Sequence, residues 1–253
     1  MSRVYFVGAG PGAMDLITLR GKTLLESADV VIYAGSLVNP GLLDFAKSGC
    51  EIHNSAVMTL DEVIETIQKA VSLKKNIVRL HTGDPSIYGA IREQMDRLSQ
   101  LGIDYEICPG VSSFCAGAAS LKAEYTLPGV SQTVILTRAA GKTTVPEREA
   151  IRNLAAHGAT MVLFLSVGLL ETVSRDLIAG GYTPDTPAAI VYKASWPDEI
   201  TLRCTVANLA QCAAENHIAK TALVCIGSFL EGGYELSRLY ASDFSTEYRE
   251  AKQ

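Results

Sequence analysis

The sequence predicts an α/β protein of two domains. The first is built on a mostly parallel sheet and the second on a mixed sheet, with the active site expected in the cleft between them. Three observations lead there. Short apolar runs alternate with helical patterns from residue 1 to about residue 120. A closely spaced pair of strand-like runs appears only in the second half. The chain has 253 residues, 48% of them apolar and 19% charged, a balance that excludes disorder and supplies enough apolar surface for real cores.

In the first half, strands are expected at 3–8, 29–33, 51–54, 76–81 and 104–107. Helices are expected near 18–28, 40–47, 59–74 and 88–101. Thr59-Leu60-Asp61-Glu62 reads as a capping box, in which the Thr59 hydroxyl and the Glu62 carboxylate satisfy each other's backbone N–H groups. Alternation at this spacing favours parallel strands covered on both faces. In the second half, strands are expected at 132–137, 160–165, 187–193, 199–205 and 221–227, with helices near 147–157, 168–180 and 206–215. The loop Ala194-Ser195-Trp196-Pro197-Asp198 is short enough to join 187–193 and 199–205 as a hairpin. The resulting domains are 1–123 and 132–253, joined by a linker at 124–131 that holds Pro128-Gly129. The polar tail after Gly232 reads as a surface extension.

A net charge of −5 without a basic run argues against a nucleic-acid partner. No run of eighteen apolar residues suggests a membrane span. The N-terminus enters a strand without a charged-then-apolar leader, so a cytoplasmic location is expected. The six cysteines form no C-x-x-C pair and read as reduced thiols. The four histidines share no ligand spacing with them, so no metal site is expected.

Three glycine-centred turns follow strands in the first half: Gly8-Ala9-Gly10-Pro11-Gly12, His81-Thr82-Gly83-Asp84-Pro85 and Pro109-Gly110-Val111-Ser112-Ser113. In a parallel sheet all three fall at the carboxyl edge, where open α/β folds bind ligands. Asp84 can pair with a ligand or close an Asx-turn. Gly8, Gly10 and Ala13 formally satisfy a dinucleotide fingerprint. However, Pro11 and a helix entry delayed to Thr18 break it, and Tyr33-Ala34 stands where the ribose-binding acid belongs. Neither a Walker A loop nor a G-x-S-x-G elbow occurs.

Val7-Gly8-Ala9-Gly10-Pro11-Gly12, Gly83-Asp84-Pro85 and Pro109-Gly110-Val111-Ser112-Ser113 resemble the successive motifs of the tetrapyrrole (corrin/porphyrin) methyltransferase family. Asp15 to Gly21 resembles that family's first helix entry, and the likeness continues through Met161–Val167, Pro187–Glu199 and Thr221–Phe229. Tyr33-Ala34-Gly35-Ser36-Leu37-Val38 resembles the members that methylate C11 of precorrin-4, or its cobalt form, in cobalamin synthesis.

The resemblance implies S-adenosylmethionine (SAM) as cofactor and a homodimer. It implies that Pro11, Gly83, Asp84, Ile87, Ser112 and Ser113 contact the cofactor, with Leu165, Tyr192, Thr221 and Ala222 around the adenine. Position 165 is often Met in that family and position 82 often Gly; here they are Leu and Thr. The substrate's acetate and propionate arms call for cations, for which Arg20, Arg92, Arg138 and Lys193 are candidates. Tyr33, Ser36, His81 and Tyr88 are candidates for touching the macrocycle. No general base is assigned. The alternatives are a family member acting at C20 of precorrin-2 or on uroporphyrinogen III, an NAD-dependent oxidoreductase, and a tetrapyrrole carrier without turnover.

Overall fold

The computed structural model describes residues 3–251. The chain divides into two compact units, Met1–Gly117 with Lys193–Glu199, and Ala118–Tyr192 with Ile200–Gln253. The first contains strands β1 (Val4–Gly8), β2 (Val30–Tyr33), β3 (Glu51–Asn54), β4 (Ile77–His81) and β5 (Tyr105–Cys108) in the order β3-β2-β4-β1-β5. All four pairings are parallel. Period-two alternation sends Val4, Phe6, Ile32 and Ile77 into one apolar cluster and Val7, Val31, Val78 and Leu80 into another. Helices α2 (Leu60–Ser72) and α3 (Arg92–Gln100) cover the first face with Ile64, Ile67 and Leu98. Helix α1 (Leu19–Ser27) covers the second with Leu25. Each such fully buried aliphatic side chain contributes about 1.5–3 kcal/mol.

Local signals explain most element ends. Thr59 and Glu62 form the complete capping box at the start of α2. The Thr18 hydroxyl accepts from the Gly21 N–H and caps α1, which opens only at Leu19. Other expectations change. Residues 40–47 form a 3-10 stretch, Pro40–Phe45, because so short a run does not sustain an α-helix. The helix expected from 88 begins at Arg92, because Tyr88 and Ala90 adopt left-handed φ values of 56° and 49°. An unexpected helix, α4 (Ser113–Leu121), follows the third glycine turn. Its Ala116-Gly117-Ala118-Ala119-Ser120 run lacks the polar–apolar period that announces a helix.

The second unit pairs β6 (Val134–Arg138), β7 (Thr160–Phe164), β8 (Pro187–Tyr192), β9 (Ile200–Thr205) and β10 (Ala222–Ile226) in the order β6-β7-β10-β8-β9. β6 and β7 are parallel and the other pairs antiparallel, so the sheet is mixed. β8 and β9 form the expected hairpin, with Tyr192 opposite Ile200. Met161, Leu163, Ile190 and Val224 from the sheet pack with Leu177 of α6 (Leu170–Gly180) and Leu209 of α7 (Leu209–Glu215). Ile151 and Ala155 of α5 (Ile151–Ala155) complete that core. Residues 124–131 contain neither helix nor strand, and residues 231–251 are largely exposed. Cys108 and Cys225 are buried, whereas Cys115 is exposed; all six thiols are free.

At the carboxyl edge of the first sheet, backbone meets backbone. A side chain on Gly8 would place its first carbon 2.6 Å from the Gly83 carbonyl oxygen, and one on Gly110 would lie 2.7 Å from Gly8 Cα. Gly110→Ala is therefore expected to destabilise the chain by about 3 kcal/mol through overpacking against immobile main chain, read as a lowered urea midpoint with unchanged slope.

Candidate functional site

Parallel pairing brings the three glycine turns to a single edge, where they bond to one another. Gly10 and Gly83 exchange N–H···O bonds of 3.2 and 2.8 Å. The Asp84 carboxylate accepts from the Gly110 N–H at 2.8 Å with one oxygen and from the Ser86 N–H at 2.8 Å and the Ser86 hydroxyl with the other. Burial raises the Asp84 pKa, but these donors outweigh it and hold the carboxyl below its usual range. Asp84 thus closes its own Asx-turn and fastens the second turn to the third. Gly83 lies close to Ser112 and Ser113: a first side-chain carbon there would stand 3.5 Å from Ser112 Cα and from the Ser113 N. Ser112 is buried and Ser113 half-buried, at the opening of α4. Ile87 is half-buried, and its N–H donates to the Asp84 carbonyl at 3.2 Å.

The first turn is held from outside by side chains that motif reasoning did not single out. The Trp196 indole N–H donates to the carbonyl of buried Pro11 at 3.0 Å, and its ring occupies the space a side chain on Gly12 would need. The Ser195 hydroxyl accepts from the Ala13 N–H at 3.0 Å, and the Asn39 amide donates to the Gly12 carbonyl at 2.7 Å. The only sequence signal was that Trp196 is the chain's single tryptophan, set in a short loop. The Thr82 hydroxyl donates to the Leu37 carbonyl at 2.7 Å. It thereby ties the second glycine turn to the Tyr33–Val38 segment. Tyr33 ends β2 half-buried, with its carbonyl accepting from the Ser55 hydroxyl at 3.0 Å. Ser36 lies in a 3-10 turn, Gly35–Leu37, and its side chain falls outside the described atoms.

In the second unit, Leu165, Tyr192, Thr221 and Ala222 also gather at one sheet edge. Tyr192 is the register partner of Ala222, and Leu163, two residues before Leu165, pairs with Val224. Leu165 and Thr221 take left-handed φ values of 52° and 56°, a cost for residues with a side chain. Leu165 is 67% exposed, an aliphatic side chain left bare beside half-buried Tyr192, Thr221 and Ala222. Buried Ser166 fixes this turn, its hydroxyl donating to the Phe164 carbonyl at 2.7 Å and accepting from the Ala139 N–H at 2.8 Å.

The candidate cations differ in their freedom. Arg92 is paired with both oxygens of Asp96 at 2.9 and 3.0 Å. Arg138 donates to the carbonyls of Ala139, Thr143 and Thr144, and Lys193 pairs with Asp198 while lying over the Trp196 ring. Arg20 is exposed on α1. Tyr88 is 45% exposed with φ 56°. His81, at the end of β4, is 3% exposed, and among the described residues its Nε2 has no hydrogen-bond partner. Burial, reinforced by the charge of Arg79, lowers its pKa to about 3, so the imidazole is neutral. Among the described residues no cluster of three or more His, Cys, Asp or Glu could hold a metal ion.

The sequence profile described as Tetrapyrrole (Corrin/Porphyrin) Methylases matches residues 3–210. The chain is 54% identical over 250 residues to a cobalt-precorrin-4 C(11)-methyltransferase of Methanocaldococcus jannaschii, covering 98% of this chain and 96% of that one. Its fold is similar to the crystal structure of a cobalt precorrin-4 methyltransferase, with a TM-score of 0.89, 47% identity and coverage of 91% and 96%. It is also similar to a uroporphyrin-III C-methyl transferase of Thermus thermophilus complexed with S-adenyl homocysteine, with a TM-score of 0.74, 26% identity and coverage of 95% of each chain.

The neutral state of His81 has a stability consequence. The unfolded imidazole takes up its proton near pH 6.5 and the folded one only near pH 3. The stabilisation from the neutral imidazole is therefore whole above pH 6.5 and is lost as the pH falls toward 3. Calorimetric Tm values over this range are expected to fall less steeply for His81→Leu than for the unaltered chain.

Proposed function

Because the chain belongs to the tetrapyrrole (corrin/porphyrin) methylase family, we propose that it transfers the methyl group of SAM to C11 of precorrin-4, metal-free or carrying cobalt, to give precorrin-5. In coarser terms it is a SAM-dependent methyltransferase acting on a precorrin-type tetrapyrrole in cobalamin biosynthesis. What carries the finer reading is the Tyr33–Val38 segment, fastened through Leu37 and Thr82 to the glycine edge, in a chain with 54% identity to a C(11)-methyltransferase. A homodimer in the cytoplasm belongs to the same proposal. Among the described residues no helix is long and apolar enough to cross a membrane.

The residues present suit SAM. Bare Leu165, with Tyr192, Thr221 and Ala222, offers an apolar surface of the kind an adenine ring needs. Gly83 and Asp84 shape the turn for the methionine and ribose parts, with Ile87 beside them. Ser112 and Ser113 stand where α4 begins, and the positive end of a helix dipole favours a carboxylate. When bound, SAM supplies a methyl on sulfonium sulfur that a nucleophilic ring carbon takes in line, the C–S electron pair remaining on sulfur in S-adenosylhomocysteine. The chain's contribution is alignment and exclusion of water, for which fixed geometry supplies roughly 7–11 kcal/mol of barrier reduction. Pro11, its carbonyl held by Trp196, lines the acceptor side of the cofactor. Tyr33, Ser36 and Tyr88 orient the macrocycle; His81, buried at the end of β4, is too enclosed to touch it. Arg20 and Arg92 are the exposed candidate cations for the macrocycle's carboxylates, and Arg92 is already engaged by Asp96. Arg92, Arg138 and Lys193 would reach those arms only by exchanging their local partners.

Incubation with methyl-labelled SAM and precorrin-4, metal-free or cobalt-loaded, is expected to place the label at C11 by NMR; label at another ring carbon overturns the assignment. Asp84→Ala unfastens the second glycine turn from the third, so calorimetry should show SAM binding weakened about tenfold, about 1.4 kcal/mol, with the fold retained. Unchanged affinity would remove Asp84 from the site.

A further inference from the structure

Position 79 lies inside β4, the middle strand of an all-parallel sheet, on the face that carries Ile77, Phe6 and Ile32. Such a position ordinarily takes an aliphatic residue. Here it holds an arginine that is only 6% exposed. Burial lowers its pKa to about 10, so it is charged at neutral pH. It forms no ion pair among the described residues. Its Nε–H donates to Gln94 Oε1 at 3.0 Å and an Nη1–H donates to the Ile32 carbonyl at 3.0 Å. Gln94, on α3 and equally buried, donates from its own amide to the Ala90 carbonyl at 3.0 Å.

A charge removed from water without an opposite charge loses solvation that neutral acceptors return only in part. Apolar residues of similar volume are often as stable in such places or more so. Stability therefore does not account for Arg79, and the ends of its contacts do. Ile32 immediately precedes Tyr33 and the segment through Val38. Ala90 closes the loop that carries Tyr88, and that loop is strained, with left-handed backbone at both residues and no room for a side chain at Gly89 beside the Pro85 carbonyl. Strained backbone persists only where its surroundings hold it, and Gln94 supplies one such hold. The cofactor turn has fastenings of its own, Gly10 to Gly83 and Asp84 to Gly110, which do not pass through Arg79.

We infer that Arg79, acting through Gln94, is a positioning residue that sets the spacing between the Tyr33 segment and the Tyr88 loop, and so governs the fit of the tetrapyrrole rather than the binding of SAM. The inference rests on the methyltransferase reading and assigns to the same site a determinant of its acceptor.

Two variants test it. Arg79→Met replaces the guanidinium with an apolar chain. Gln94→Glu keeps the acceptor for Arg79, and adds an ion pair to it, but cannot donate to the Ala90 carbonyl while ionised. Both are expected to keep a Tm at or above that of the unaltered chain and to bind SAM within threefold by calorimetry. Both should raise the KM for metal-free precorrin-4 at least tenfold, or spread the label over more than one ring carbon. A purely structural role predicts that Gln94→Glu is fully active, and that result would overturn the inference. So would a loss of activity that merely follows the folded fraction, or a SAM affinity that falls as far as the acceptor's. Failure of the unaltered chain to bind SAM would overturn the reading beneath it instead.

Discussion

The Gly83 carbonyl occupies the space that side chains on Gly8 and Gly110 would fill. These three positions belong to turns after β4, β1 and β5, neighbours in the sheet order β4-β1-β5. Their approach turns three separate loops into one surface of main chain, on which Gly10, Gly83, Asp84 and Gly110 fasten to one another. The remaining fixtures of the edge attach to that surface. Thr82 brings in the segment after β2, and Asn39, Ser195 and Trp196 grip the first turn. A side chain at either flanking glycine would push apart main chain, which gives way far less readily than a rotamer.

Much of this was legible because parallel strands impose a direction. Once β1, β4 and β5 are read as parallel, the turns after them must share an edge, whatever their side chains do. The mixed character of the second sheet followed likewise from the length of a single loop. The details that escaped depend on partners distant in sequence. Helix α4 has small residues on all sides, so its helicity comes from packing that no period reveals. The late start of α3 reflects the left-handed backbone at Tyr88 and Ala90, neither of which is a glycine or asparagine that would have signalled it.

The candidate residues divide along the same line. Gly83, Asp84, Ser112 and Ser113 converge because their motifs adjoin strand ends, and Leu165, Tyr192, Thr221 and Ala222 converge for the same reason. Charge and proximity to motifs single out the candidate cations but say nothing about their existing partners. Arg92 could have been recognised as half of a pair, since Asp96 stands one helical turn away. Arg138 gave no such warning, because its acceptors are backbone carbonyls. Arg79 was hidden in what looked like a plain core strand, and only burial without a counter-charge sets it apart.

The chain's single tryptophan sits with its indole against the first glycine turn, bonded to Pro11 and overlaid by the Lys193 ammonium. Intrinsic fluorescence excited at the red edge of the protein's absorption thus comes from one location, undiluted by other indoles. Displacement of that turn, or a chromophore arriving near it, would alter the emission of the unlabelled protein. The molecule carries its own optical gauge at the rim where its turns meet.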